Sequence, residues 1–146
     1  MNRLLDIICL TIVLLITFCV YSYVHAEDDN IVIAKVIAAE ACGDGFEGMK
    51  AVANVIRNRA IKRRQPLIVV VTQPKQFYGY TASNRDRLYS QCKKDADYLS
   101  QNIMELDDIT NGAMYFRQPS EPIYSWHGEE TVRIKGHIFH KERNRQ

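Results

Sequence analysis

Glu40 is the residue of this chain whose type and setting most directly suggest chemistry. Ile33, Val36 and Ile37 precede it by seven, four and three positions, and at helical spacing all four side chains share one face. The three apolar members make that the buried face, so the sequence aims a carboxylate into its own core or into a cleft through it. An ionised carboxylate buried without partners is costly, and the usual relief is a raised pKa. A carboxyl group so tuned beside a cleft can serve as a general acid. The alternative is a helix boundary, from which Glu40 swings into water.

Other residues near it in sequence carry possible chemistry. Asn54 and Asn58, one helical turn apart, offer amides to a sugar-binding cleft or simply cover a solvent face. The segment Gln73-Pro74-Lys75-Gln76-Phe77-Tyr78-Gly79-Tyr80 sets aromatic rings beside amides on a loop. Sugar rings stack their C–H faces on such aromatics while amides bind hydroxyls; the plainer role is Phe77 plugging the core under the tyrosines. His137 and His140 fall on opposite faces of a strand and His127 on a turn, so no metal site is expected. Asp107, Asp108, Asn111 and Gly112 offer too few alternating oxygen ligands for calcium. No cofactor is implied.

The elements that must hold these residues read in a simple order. A first helix ends near Glu40, and Gly43 and Gly45 turn the chain. Asp44 followed by Glu47 resembles a capping box for a second helix over about 47–61. Its apolar stripe is Met49, Val52, Ala53, Ile56 and Ala60, and its asparagines and arginines read mostly as an exposed face. Arg57, Arg59, Lys62, Arg63 and Arg64 read as a solvated, dipole-compatible helix end. Residues 67–71 are apolar and β-branched, either a buried strand or an extended connection. A third helix spans about 83–106 with a stripe of Leu88, Cys92, Ala96, Leu99 and Ile103. Strand candidates at 113–116, 123–126, 131–134 and 137–140 follow, with turns at 127–130 and at Lys135-Gly136. The expected class is α+β, about three helices followed by a small antiparallel sheet, in one domain.

The N-terminus is read as a targeting segment. A short positive start precedes a nearly unbroken apolar run over residues 4–20, and Val24-His25-Ala26 fits a cleavage site. Residues 1–26 are thus expected to be a signal peptide, with an uncleaved membrane tether through 4–24 as the alternative. Residues 27–146 are then exported to the periplasm, envelope or medium. In an oxidising compartment Cys42 and Cys92 suggest one disulfide, worth about 3–4 kcal/mol in the chain-entropy model. Two separate thiols are the other possibility. The net charge of +2 suits an anionic wall polymer and is too small to argue for nucleic acid.

Taken together, the helix ending in Glu40-Ala41, Gly43, Glu47-Gly48, the helix Ala51-Val52-Ala53-Asn54-Val55-Ile56-Arg57-Asn58-Arg59 and Gln76-Phe77 resemble the bacterial cell-wall hydrolase family of the spore cortex-lytic enzymes. Gly112-Ala113-Met114-Tyr115-Phe116, Trp126 and Gly136-His137-Ile138-Phe139 resemble its second half, in the same order. The resemblance implies a lysozyme-like or resuscitation-factor-like catalytic domain that cleaves peptidoglycan glycan strands; a monomer is expected. It puts the family glutamate at Glu40. Gln76, Phe77, Tyr78, Tyr115, Trp126, His137 and Asn54 become the candidate substrate-binding residues. The chain departs from the pattern at Cys42, Tyr78 and His140, where the family commonly has arginine, serine and tyrosine.

No second carboxylate stands out as a partner, as a two-carboxylate glycosidase would require. A single acid/base suffices if the muramic C6 hydroxyl attacks C1, so lytic transglycosylase chemistry is expected ahead of hydrolysis by water. Two other classes remain. Cys42 followed by His137 has the order of a cysteine-type wall endopeptidase, although Cys42 trails a helix C-terminus, where the dipole disfavours a thiolate. The other class is an inactive wall-binding protein.

Overall fold

The computed structural model describes residues 3–143, with side chains described over 7–18 and 29–143. Helix α1 runs unbroken from Arg3 to Ala41. Its outer part is apolar and exposed, as at Leu10, Leu15 and Phe18, whereas Ile33, Ala34, Val36, Ile37 and Ala38 are buried. Among the described residues of α1, only those of the inner end belong to the domain core. Among the described residues no helix is long and apolar enough to cross a membrane. The expected cleavage site at 24–26 lies outside the described side chains.

A short 3-10 turn, Cys42–Asp44, leads into α2, Gly45–Arg63. The capping box does not form. Asp44 occupies the N-cap position without a side-chain cap bond, and its Oδ2 lies 2.8 Å from His137 Nδ1 instead. An imidazole across the fold thus takes the carboxylate that local pattern assigned to the helix end. Helix α2 ends at Arg64 in the left-handed region, φ 52°, with Pro66 just beyond.

Helix α2 has no solvent face through its middle. Asn54, Arg57 and Arg59 are buried along with its apolar stripe, contrary to the expected exposed face; the solvated end holds for Lys62 and Arg64, which are exposed, but not for Arg57 and Arg59. The loop after the third main helix lies across it and uses its polar groups. Asn54 Oδ1 accepts the Ile109 N–H at 3.0 Å, and Asn58 Nδ2 donates to Asp108 Oδ2 at 3.0 Å and to the Ala113 carbonyl at 3.1 Å. Arg57 donates to the Leu106 carbonyl. Burial satisfied by loop backbone leaves an amphipathic signal weak, because polar residues sit inside.

Residues 67–71 are neither strand nor extended connection: α3 spans Leu67–Thr72. β-branched residues disfavour helix locally, but burying Val70 and Val71 against α1 and α2 outweighs that modest preference. The aromatic loop contains one helical turn, α4, Tyr78–Thr81. Helix α5 spans Arg85–Gln101, shorter than expected, and departs from helical geometry at Cys92. Cys92 is disulfide-bonded to Cys42, so the bridge ties α5 to the end of α1.

The sheet contains β1 (Tyr115–Arg117), β2 (His127–Ile134) and β3 (His137–Glu142), antiparallel in the order β1-β3-β2. Lys135, at φ 51°, makes the hairpin turn expected there. The expected strand at 123–126 is a turn: the Tyr124 N–H donates to His127 Nδ1 at 3.0 Å, and the Tyr124 carbonyl accepts the His127 N–H. The expected turn at 127–130 is instead the irregular start of β2, whose register shifts twice against β3 between His127 and Val132. Bulges of this kind erase the two-residue period that sequence patterning relies on. Helices α1, α2 and α5 pack on one another, and the sheet meets α2 and joins their core through Ile134 and Phe139.

Candidate active site

Glu40 lies in the last turn of α1, on the face of Ile33, Val36 and Ile37, and its carboxylate is largely withdrawn from water. Its Oε1 accepts the Gly79 N–H at 2.5 Å. That amide is at the start of α4, where a helix leaves its first N–H groups without internal partners. Gly79 is needed for this approach. A Cβ there would stand 2.9 Å from Ala39 Cβ, 3.0 Å from the Val36 carbonyl oxygen and 3.1 Å from Glu40 Cγ. Gly79→Ala is expected to push α4 off α1 and cut wall-lytic activity at least tenfold, since a misplacement of about 1 Å near the chemistry can cost a hundredfold. Turnover measured on stained peptidoglycan checks this.

Burial raises the Glu40 pKa above the usual carboxylate range. The Gly79 hydrogen bond and the charges of His137 and Arg59 pull it down, while the Glu121 charge pushes it up; burial prevails, so the group keeps its proton to higher pH than a free glutamate.

Residues that neighbour Glu40 or flank the Gly79 amide line two hollows. One, of about 230 Å³, has an aromatic wall of Tyr115, Tyr124 and Trp126 and a polar wall that includes Arg59, Lys75, Gln76, Arg117 and Glu121. Tyr124 and Trp126 stack with centroids 4.4 Å apart and planes within 6°, and both rings are exposed. The other hollow, of about 590 Å³, is bordered by Lys75, Phe77, Tyr78 and Tyr80. Gly79, which holds Glu40, lies between those two tyrosines. Arg59 supports the rim between the hollows. Its guanidinium lies 4.8 Å from the Phe77 ring centroid and 5.0 Å from that of Tyr115, with Nε donating to the Met114 carbonyl at 2.6 Å and Nη1 to Gln76 Oε1 at 3.2 Å.

Most of the residues singled out in the sequence gather here. Gln76, Tyr115 and Trp126 line the first hollow, and Phe77 and Tyr78 border the second. Tyr78 is exposed, but Phe77 is almost wholly buried and serves mainly as the core plug. His137 is buried, its ring edge against Phe116 at 5.2 Å and its Nδ1 on Asp44, so it buttresses the site from the sheet side. Asn54 is no part of it: its side chain is completely buried against the 106–113 loop.

Arg59, Asp44 and Glu121 are the members that sequence reading missed. Arg59 was hidden among cations that looked solvent-facing, and Asp44 behind a capping pattern. Nothing in the stretch around Glu121 distinguishes it from an ordinary loop carboxylate. Cys42, being disulfide-bonded, has no thiol to act as a nucleophile, which removes the cysteine-peptidase reading. Among the described residues no group of three or more His, Cys, Asp or Glu could hold a metal ion.

Residues 43–140 match the cell wall hydrolase family. The chain belongs to that family. With it comes the general activity: this is a peptidoglycan-degrading enzyme. The match begins three residues beyond Glu40, so it takes in the hollows and the sheet but not the acid itself. A cell wall hydrolase CwlJ of Oceanobacillus iheyensis is 25% identical over 124 residues, covering 80% of this chain and 88% of the relative. The catalytic domain of the Bacillus cereus SleB protein shares the fold, with a TM-score of 0.65 at 24% identity, over 79% of this chain and 91% of that one. The catalytic domain of the germination-specific lytic transglycosylase SleB from Bacillus anthracis gives a TM-score of 0.63 at 26% identity, over 79% and 95%. The α+β fold expected from sequence is therefore the one found, with two short helices added.

Proposed function

We propose that this chain cleaves the MurNAc–GlcNAc glycosidic bond of peptidoglycan as a lytic transglycosylase, with Glu40 as its acid and base. The observation that carries the proposal is a buried carboxyl group of raised pKa, held by the Gly79 amide, whose charged neighbour Arg59 and flanking Tyr78 and Tyr80 line two aromatic-rimmed hollows. Glu40 donates its proton to the glycosidic oxygen as the C1–O bond breaks. The muramic C6 hydroxyl oxygen then bonds to C1, and its proton passes to the Glu40 carboxylate. The acid is restored and the product carries a 1,6-anhydro ring, with no water consumed. The lytic transglycosylase activity of the related B. anthracis domain supports this reading.

Hydrolysis by water is the second reading, and Glu121 favours it. This carboxylate lines the first hollow and its charge reaches Glu40, so it is a candidate for activating water in a two-carboxylate scheme. Mass spectrometry of purified glycan after digestion separates the two. Anhydro ends, lighter by one water, are expected; reducing ends alone would replace the transglycosylase with a hydrolase.

We further propose that residues 1–26 direct export and that 27–146 form the catalytic unit. The exposed apolar face of α1 between Ile7 and Phe18 is unsuited to water and supports a segment that is removed or held in a membrane. N-terminal sequencing of the exported protein tests it: a start at Glu27 is expected, and a retained N-terminus would make the segment a tether.

A further inference from the structure

We propose that the smaller hollow is an anion subsite: Lys75, Arg59 and Arg117 take a carboxylate carried by the muramyl residue of the glycan while the sugar rests on Tyr124 and Trp126. The inference rests on the reading that glycan strands are the substrate, and it fixes which of the two alternating sugars lies on this side of Glu40.

Two of these cations are in an unusual state. Arg59 is 3% exposed and Arg117 is 8% exposed, yet among the described residues neither guanidinium has a carboxylate partner within ion-pairing distance. Arg117 gives Nη1 to the carbonyls of Gln118 and Glu121, at 3.2 and 3.0 Å, while its buried Nε has no partner. Burial and the nearby Arg63 charge lower the Arg59 pKa to about 10. The charges of Tyr115, Glu40 and Glu142 oppose that shift without an ion-pair contact, and the remaining cost of burying the guanidinium is relieved when an anion arrives.

Lys75 completes the set. It borders both hollows, is exposed at a left-handed φ of 62°, and has no ion-pair partner among the described residues. Glu121 is the carboxylate on the hollow's lining, and its Oε2 is already engaged by the Gln118 N–H at 2.9 Å. Three cations thus face one committed carboxylate in a space of about 230 Å³, large enough for a carboxylate and its linker. In the glycan, MurNAc carries a lactyl carboxylate or the carboxylates of its peptide stem, and GlcNAc carries none. An arginine fork accepts a carboxylate bidentately, which gives orientation as well as attraction.

The chain has a single tryptophan, Trp126, so its fluorescence reports directly on this hollow, independently of turnover. Full-length mature protein carrying Glu40→Gln would be titrated with a GlcNAc–MurNAc tetrasaccharide bearing free lactyl carboxylates. The comparison ligands are the same sugar with its carboxylates converted to methylamides and a chitotetraose bearing a 6-phosphate. The carboxylate form is expected to bind about tenfold more tightly than the methylamide at low salt, roughly 1.4 kcal/mol. Adding Lys75→Gln should shrink that gap to about threefold or less, as loss of one charge contact predicts. Equal affinity for carboxylate and methylamide, or a gap untouched by Lys75→Gln, overturns the subsite. Tighter binding of the phosphate ester than of the carboxylate also overturns it, assigning the hollow to phosphate. Failure of the reading that glycan strands are the substrate would show elsewhere, as a wild-type enzyme that cleaves no purified peptidoglycan glycan, and leaves this titration interpretable.

Discussion

Glu40→Gln is expected to reduce peptidoglycan cleavage by about a hundred- to ten-thousand-fold, the range that removal of a general acid typically costs. Dye release from stained walls measures it, and lysis at the wild-type rate would remove Glu40 from the mechanism. The fold should survive, because the amide can still accept the Gly79 N–H through its oxygen. The substitution should even favour folding near neutral pH. Burial raises the Glu40 pKa in the folded protein, so the stability associated with this group is fully present below its unfolded pKa and is lost as pH rises through the folded one. Glutamine has no proton to lose, and a melting curve at neutral pH should place the variant at or above wild type. At acidic pH any such advantage should vanish. The same shift shapes the wild-type rate: activity that needs the protonated acid must fall on the alkaline side as pH passes through the raised pKa. A rate that keeps climbing through that region would contradict the assigned role.

Removing the Cys42–Cys92 bridge should cost a large share of the stability. The two cysteines are 50 residues apart, and freeing a loop of that size costs about 3–4 kcal/mol in the chain-entropy model. For a domain of this size that corresponds to a drop of roughly 10–15 °C in Tm. Cys42→Ser with Cys92→Ser, compared with the oxidised wild type by calorimetry, measures the loss. Activity should weaken as well, because Cys42 lies two residues beyond Glu40 and the bridge anchors the end of α1 to α5. A double variant that melts within about 3 °C of wild type would show that packing of α1 on α5, rather than the bridge, fixes this end of the helix.

Glu40 was visible in the sequence because its evidence is local. Three apolar residues at helical spacing define a face, and a carboxylate on that face is conspicuous whatever the fold. The disulfide was legible on similar terms, since reading residues 1–26 as a signal leaves two cysteines, which an oxidising compartment would pair. The Lys135-Gly136 hairpin was also local, set by a turn between two short runs. Where local pattern competed with burial, it failed. The β-branched run at 67–71 became helix because its valines found a core against α1 and α2. Asn54 looked like a sugar ligand because nothing in its own helix revealed that the 106–113 loop would lie over it.

By itself the sequence determined the carboxylate on a buried helix face, the helix presenting it, the pair of cysteines and the order of helices before sheet. Each follows from periodicity or composition over a few turns of chain. Only the tertiary structure decided what surrounds the acid. The Gly79 amide, the Asp44–His137 contact, the rim held by Arg59, and Glu121 all come from segments distant in sequence. Their chemistry depends on desolvation and on charges brought close by folding, quantities that do not exist until the chain has packed.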